Sequence, residues 1–187
     1  VAFIINTEWR NISLWRSQII DSKKFELTNP CSWKKHNQNF CFVDAYSNES
    51  KKKYIHLYEL NSESSCLIDN VRLKYEDSKN PYIFSFNEED YLTVSSNKNK
   101  SIDLYKCHEF PAKWKFSHSL IEGIVSKNHF IFHKENKYWL VVNILNDNNF
   151  YELRIFTTED INEPSWKPQP FIDETFMAVS YTHLRAH

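Results

Sequence analysis

The chain repeats itself at intervals of roughly 50 residues, and this period limits what it can fold into more than any other feature. The first submotif is an asparagine with an aromatic run, a polar turn, and a second aromatic-apolar run. It reads Asn29-Pro30-Cys31-Ser32-Trp33 leading to Phe40-Cys41-Phe42-Val43, then Asn80-Pro81-Tyr82-Ile83-Phe84 leading to Tyr91-Leu92-Thr93-Val94. The third copy lacks the proline: Asn128-His129-Phe130-Ile131-Phe132 leads to Tyr138-Trp139-Leu140-Val141. A second submotif follows each copy, as Ile55-His56-Leu57-Tyr58, Ile102-Asp103-Leu104-Tyr105 and Leu153-Arg154-Ile155-Phe156. Copies two and three then carry Trp114-Lys115-Phe116 and Trp166-Lys167.

Within each unit, short alternating stretches are bounded by Asn, Asp, Ser and Lys clusters, which predicts antiparallel strands rather than helices. In the second unit the strands fall near 82–86, 91–95, 102–107 and 114–120. Four strands per ~50 residues make one propeller blade. The fold class is therefore all-β, a partial propeller with about three four-stranded blades. A β-sandwich with accidental periodicity is the alternative. Asn29, Asn80 and Asn128 stand just before the first strand of each blade. Because that strand often lines the central channel of a propeller, the three asparagines are expected to converge on the axis, where a ligand site would lie.

Turns in this chain cannot rely on glycine, since Gly123 is the only one, whereas Asn makes up roughly a tenth of the residues. Asparagine is the best non-glycine residue at positive φ. The clusters Lys35-His36-Asn37-Gln38-Asn39, Asn87-Glu88-Glu89-Asp90 and Lys134-Glu135-Asn136-Lys137 are expected to take that role. Aromatic side chains, 16% of the total, provide the large rigid core that strands need.

Other classes of function fit poorly. A net charge of −1, from 23 basic and 24 acidic residues, supplies no field to hold nucleic acid. Apolar runs such as Trp139 to Val142 are too short to span a bilayer. Cys31, Cys41, Cys66 and Cys107 show no CxxC or zinc-finger spacing, and are read as buried free thiols of a reducing, cytoplasmic compartment. His129 and His133 lie about 13 Å apart on a strand, too far to share a metal. One glycine cannot make a phosphate-cradling loop, so no cofactor is expected. Residues 1–6 are expected to end a preceding segment, with the propeller over 7–178. Residues 179–187 (Val-Ser-Tyr-Thr-His-Leu-Arg-Ala-His) resemble a translated sequencing adapter.

A set of motifs carries a family likeness. In order, these are Trp9-Arg10, Asn29-Pro30, Asn80-Pro81-Tyr82-Ile83-Phe84, Ser101-Ile102-Asp103-Leu104-Tyr105-Lys106 and Glu109-Phe110-Pro111-x-x-Trp114. Leu120-Ile121-Glu122-Gly123, Lys137-Tyr138-Trp139-Leu140 and Ser165-Trp166-Lys167-Pro168 follow. The set resembles the N-terminal domain of glucosamine inositolphosphorylceramide transferase and its bacterial relatives. That domain is similar to the five-bladed propeller of glycoside hydrolase family 43. The resemblance implies a fold of five blades and, in bacterial relatives, neighbouring transferase domains, including formyltransferase-like ones. It also implies three carboxylates around the axis in hydrolytic members.

This sequence departs from that last pattern. Asn29-Pro30 stands where the family's Asp-Pro carries the general base, and an amide cannot activate water. Val94-Ser95 replaces a Pro-Glu, and Asn128 replaces an Asp. Asp44 is the one acid left near a family acidic position. Two readings follow. The first is a non-hydrolytic carbohydrate-binding accessory domain of a glycan-modifying, transferase-type protein. Asn29, Asn80 and Asn128 would meet sugar hydroxyls, and Trp33 and Tyr82 would stack on a ring or else pack in the core. The second is a divergent hydrolase drawing its acids from Asp44 or Glu122. Glu88, Glu89 and Asp103 are expected to be solvated surface groups.

Overall fold

A computed structural model describes residues 24–60, 65–163 and 165–170 of the chain. The segments expected at 1–6 and 179–187 lie outside the described residues. The structure is all-β: three antiparallel four-stranded sheets follow one another along the chain. The first contains β1 (Phe25–Lys35), β2 (Gln38–Ser47), β3 (Lys53–Leu60) and β4 (Ser65–Val71). The second contains β5 (Lys79–Phe86), β6 (Glu89–Ser96), β7 (Ser101–Glu109) and β8 (Lys113–Glu122). β9 (Ser126–Lys134), β10 (Lys137–Leu145), β11 (Tyr151–Thr158) and the short β12 (Lys167–Pro168) form the third. Spatial order equals chain order in every sheet, so each is a meander in which neighbouring strands are joined directly. The three sheets are blades of a propeller, matching the expected strands of the second unit with modest extensions at most ends. Among the described residues, no helix is long and apolar enough to cross a membrane.

Asparagine does take the place of glycine. The inner hairpins close on two-residue turns in which both residues have positive φ: His36 (49°) and Asn37 (62°), Asn87 (49°) and Glu88 (65°), Glu135 (54°) and Asn136 (57°). Such turns match the right-handed twist of the strands they join. Each turn uses one asparagine and leaves its other strained position to His36, Glu88 or Glu135.

The blades pack on aromatic and branched side chains. Phe40, Phe42, Ile55 and Leu57 of the first blade share one core with Ile83, Leu92, Val94 and Tyr105 of the second. Tyr91, Ile102 and Leu104 of the second meet Ile131, Leu140 and Val142 of the third. Runs of consecutive buried residues along β2, β6 and β10 follow because the second strand of each blade is covered on both faces.

Two expectations are corrected here. Asp103 is not a solvated group: it is fully buried on β7, and Oδ1 accepts a hydrogen bond of 2.8 Å from Ser119 Oγ. β7 is covered by neighbouring strands and by packing on both faces, so its alternation does not turn this residue out to water. Cys66 is exposed, because β4 is the outermost strand of its blade, whereas Cys41 is buried as expected.

Because Asn136 holds φ at 57°, Asn136→Gly should leave stability nearly unchanged, while Asn136→Val should lower it by about 1–2 kcal/mol. Urea midpoints of the two variants check this; equal midpoints would remove the backbone explanation.

Candidate functional site

The three repeat asparagines are β-bulge residues. Pairing shifts between Thr28 and Cys31 on β1, between Lys79 and Tyr82 on β5, and at Val142/Asn143 opposite β9. At these shifts Asn29, Asn80 and Asn128 adopt φ of 51°, 54° and 53°. A bulge with its extra residue in the left-handed region normally asks for glycine, and it re-aims the side chain it carries. Pro30 and Pro81 fit the irregularity, since a bulge tolerates the missing N–H.

Asn29 and Asn80 meet directly. Asn29 Nδ2 donates to Asn80 Oδ1 at 2.8 Å and to Asp44 Oδ2 at 2.7 Å. The Asn80 backbone N–H donates to both oxygens of Asp44, at 2.9 and 3.0 Å, and Asn80 Nδ2 donates to Ser95 Oγ at 3.0 Å. Ser95 Oγ in turn donates to the Lys79 carbonyl at 3.3 Å. The first and second blades are thus tied by a chain of polar contacts at the bulges of their inner strands. Asn29 is exposed and Asn80 is buried, so the network runs from solvent into the protein.

Asp44 is the charged member. Burial pushes its carboxyl above the usual range, partly opposed by the hydrogen bonds from Asn29 and Asn80 and by the nearby Lys53 and Lys79. Lys79 is itself lowered, first by burial and then by repulsion from Lys53.

The same geometry recurs in register. Thr28 pairs with Asp44, Lys79 with Ser95, and Lys127 with Asn143. Asn143 is therefore the third-blade counterpart of Asp44 and Ser95, half-buried on β10. The sequence carried this signal as a constant offset of fifteen residues from Asn29 to Asp44 and from Asn80 to Ser95, which Asn128 and Asn143 share. Asn128 is exposed beside His129, which sequence reasoning weighed only as a metal ligand. His129 is buried, with Nε2 2.9 Å from Thr93 Oγ1. Thr93 gives its own proton to the Tyr82 carbonyl at 3.2 Å, so its hydroxyl accepts from an Nε2–H imidazole. Burial pushes this histidine down to about 4, keeping it neutral, and Nδ1 has no partner among the described residues.

The remaining candidates lie elsewhere. Trp33 packs between blades, 5.1 Å from the Phe110 ring and 6.3 Å from Trp114. Tyr82 spans to the third blade, donating to the Ile131 carbonyl at 3.1 Å, and its ring stacks on Phe84. Both rings are engaged in contacts between blades. Glu122 ends β8, paired with Ser101, with β6 and β7 between it and β5. Three strand spacings put β8 about 14 Å from the inner strand. Glu88 and Glu89 are exposed at or beside a hairpin tip. No group of three metal-ligating side chains occurs among the described residues.

The fold is a propeller of the kind found in glycoside hydrolases. An alpha-L-arabinanase from Penicillium chrysogenum, solved with arabinobiose, aligns at 18% identity with a TM-score of 0.62, covering 76% of this chain and 48% of that one. A xylan beta-1,4-xylosidase from Bacillus halodurans aligns at 14% identity and 0.60, covering 80% and 31%. A GH32 beta-fructofuranosidase from Bombyx mori aligns at 14% and 0.63, covering 81% and 38%. The chain thus spans less than half the length of each of these structures, and identities this low establish the fold alone. No curated protein matches the sequence. The chain belongs to the family described as glucosamine inositolphosphorylceramide transferase 1, N-terminal, whose model matches residues 69–170.

Raised in the folded state, Asp44 contributes stability that is fully present below about pH 4 and is lost as pH rises through its folded value. Relative to Asp44→Asn, the wild type should therefore lose stability as pH climbs above the ordinary carboxylate range. Urea titrations of both proteins across that range test the sign, and parallel profiles would contradict it.

Proposed function

We propose that this chain is a non-hydrolytic carbohydrate-binding domain, accessory to a larger glycan-modifying protein of the transferase type. The observation that carries the reading is the state of Asp44: both its oxygens accept N–H groups from Asn29 and Asn80. Its repeat counterparts are Ser95 and Asn143, which are neutral. Glycosidic hydrolysis needs two carboxyl groups roughly 5 to 9.5 Å apart across the scissile bond. A carboxylate engaged by amides and flanked by neutral partners suits recognition instead. Amides offer a donor pair and an acceptor to sugar hydroxyls without adding charge.

The transferase assignment rests on the family description, and the sugar class on the glycosidases that share the fold. Asn29 and Asn128 are the exposed amides of the repeat, and we assign ligand contact to them, with Asn80 and Asp44 setting the position of Asn29.

Calorimetric titration with arabino- and xylo-oligosaccharides, beside an aryl-glycoside hydrolysis assay, tests this. Binding without turnover is expected. Asn128→Gly, which keeps the positive φ, should weaken binding about fivefold, the equivalent of one hydrogen bond of about 1 kcal/mol. Asn29→Asp combined with Asn128→Asp should remain without hydrolytic activity. Turnover by the wild type would sink the reading.

A further inference from the structure

A cleft of about 400 Å³ opens between the second and third blades, far from the asparagine bulges. It is framed by the β5–β6 hairpin, the β9–β10 hairpin and the segment after β11. Phe86 lines it at the end of β5, whereas Asn80 stands near the start of that strand. At 3.3 Å per residue the two are about 20 Å apart. The cleft is therefore separate from the site to which sugar binding is assigned, and its function does not rest on that assignment.

Its walls are aromatic. Phe86 and His133 lie 4.4 Å apart, Phe86 and Tyr138 5.0 Å, and His133 and Tyr138 4.9 Å, with the last two pairs edge-to-face. Tyr91 completes the lining and donates its hydroxyl to Glu89. The polar part of the lining joins three acids, Glu89, Glu159 and Asp160, to the neutral amides of Asn87, Asn136 and Asn162. Glu89 has a partner in Lys106, at 3.4 Å. Glu159 and Asp160 form no ion pair among the described residues, and Asp160 Oδ1 accepts only the backbone and side-chain N–H groups of Asn162. Lys106 Nζ already rests 5.5 Å from the centre of the Tyr91 ring, so a cation held between a ring face and a carboxylate is a contact this surface makes with its own side chain.

We propose that this cleft binds an organic ammonium cation. Ring faces attract a cation through their quadrupole, and the two unpaired carboxylates neutralise it at the rim. An anionic ligand would face three carboxylates, and a neutral one would leave the charges uncompensated. The volume suits a small molecule or a single side-chain head group.

The full chain is titrated calorimetrically with choline and with n-butylammonium, and with 3,3-dimethylbutanol as the uncharged shape analogue of choline. Saturable binding of at least one cation is expected, with the alcohol about tenfold weaker or worse. Glu159→Gln with Asp160→Asn should weaken cation binding about fivefold at low salt without moving the melting temperature, since both residues are exposed. Asn128→Gly should leave cation binding unchanged, which separates this site from the asparagine bulges. Competition by an Nα-acetyl-lysine amide would assign the head group to a lysine side chain, and its failure to a free amine. Absence of saturation by both cations, equal binding of the alcohol, or indifference to the double variant would overturn the proposal.

Discussion

The contact on which the arrangement of the first two blades turns is the hydrogen bond between two asparagines 51 residues apart. It exists because both residues occupy the same strained position, a bulge at positive φ, on neighbouring inner strands. Left-handed backbone is disfavoured for most residues, and asparagine tolerates it because its short amide can bond locally. Here the amide bonds instead across the blade boundary and to the carboxylate of Asp44. Backbone strain, side-chain direction and inter-blade registration therefore come from one residue type at one repeat position.

Around this polar contact the blades are held by apolar packing. Trp33 and Tyr82, placed by the sequence near a channel, face the next blade and lose water against Phe110, Trp114 and Phe130. Rings of this size provide most of their stabilisation by burial, and a second role in ligand stacking would require them to leave that packing. The polar groups have the opposite balance. Asp44 and Asp103 are both raised chiefly by burial, so each is held against a desolvation penalty by specific donors. Such groups contribute precision of position more than net stability.

Much of the fold was legible because propeller blades are built from local pairings. Hairpin turns at 36–37, 87–88 and 135–136 are announced by short polar clusters between alternating runs, and the period reports how often the unit recurs. The candidate site was legible only in part. Equivalence of Asn29, Asn80 and Asn128 could be read from the repeat, and so could the replacement of acids by amides. Asn143 lay within reach through the same fifteen-residue offset but carries no chemistry of its own to draw attention. His129 was legible only as too far from His133 to share a metal, because spacing along a strand says nothing about what covers it.

The sequence by itself determined the all-β class, the four-strand unit, the turns and the family, since each depends on residues close together or on a regular repeat. Tertiary structure alone decided that Asp103 is buried, that Glu122 ends an outer strand, and that Asp44 is engaged by amides from both blades. It alone also assembled the acidic aromatic cleft from two hairpins and a later segment. The reason is physical. Alternation tells which way a side chain points from its own strand, but burial, charge neighbours and cavities depend on which distant strand is packed against it.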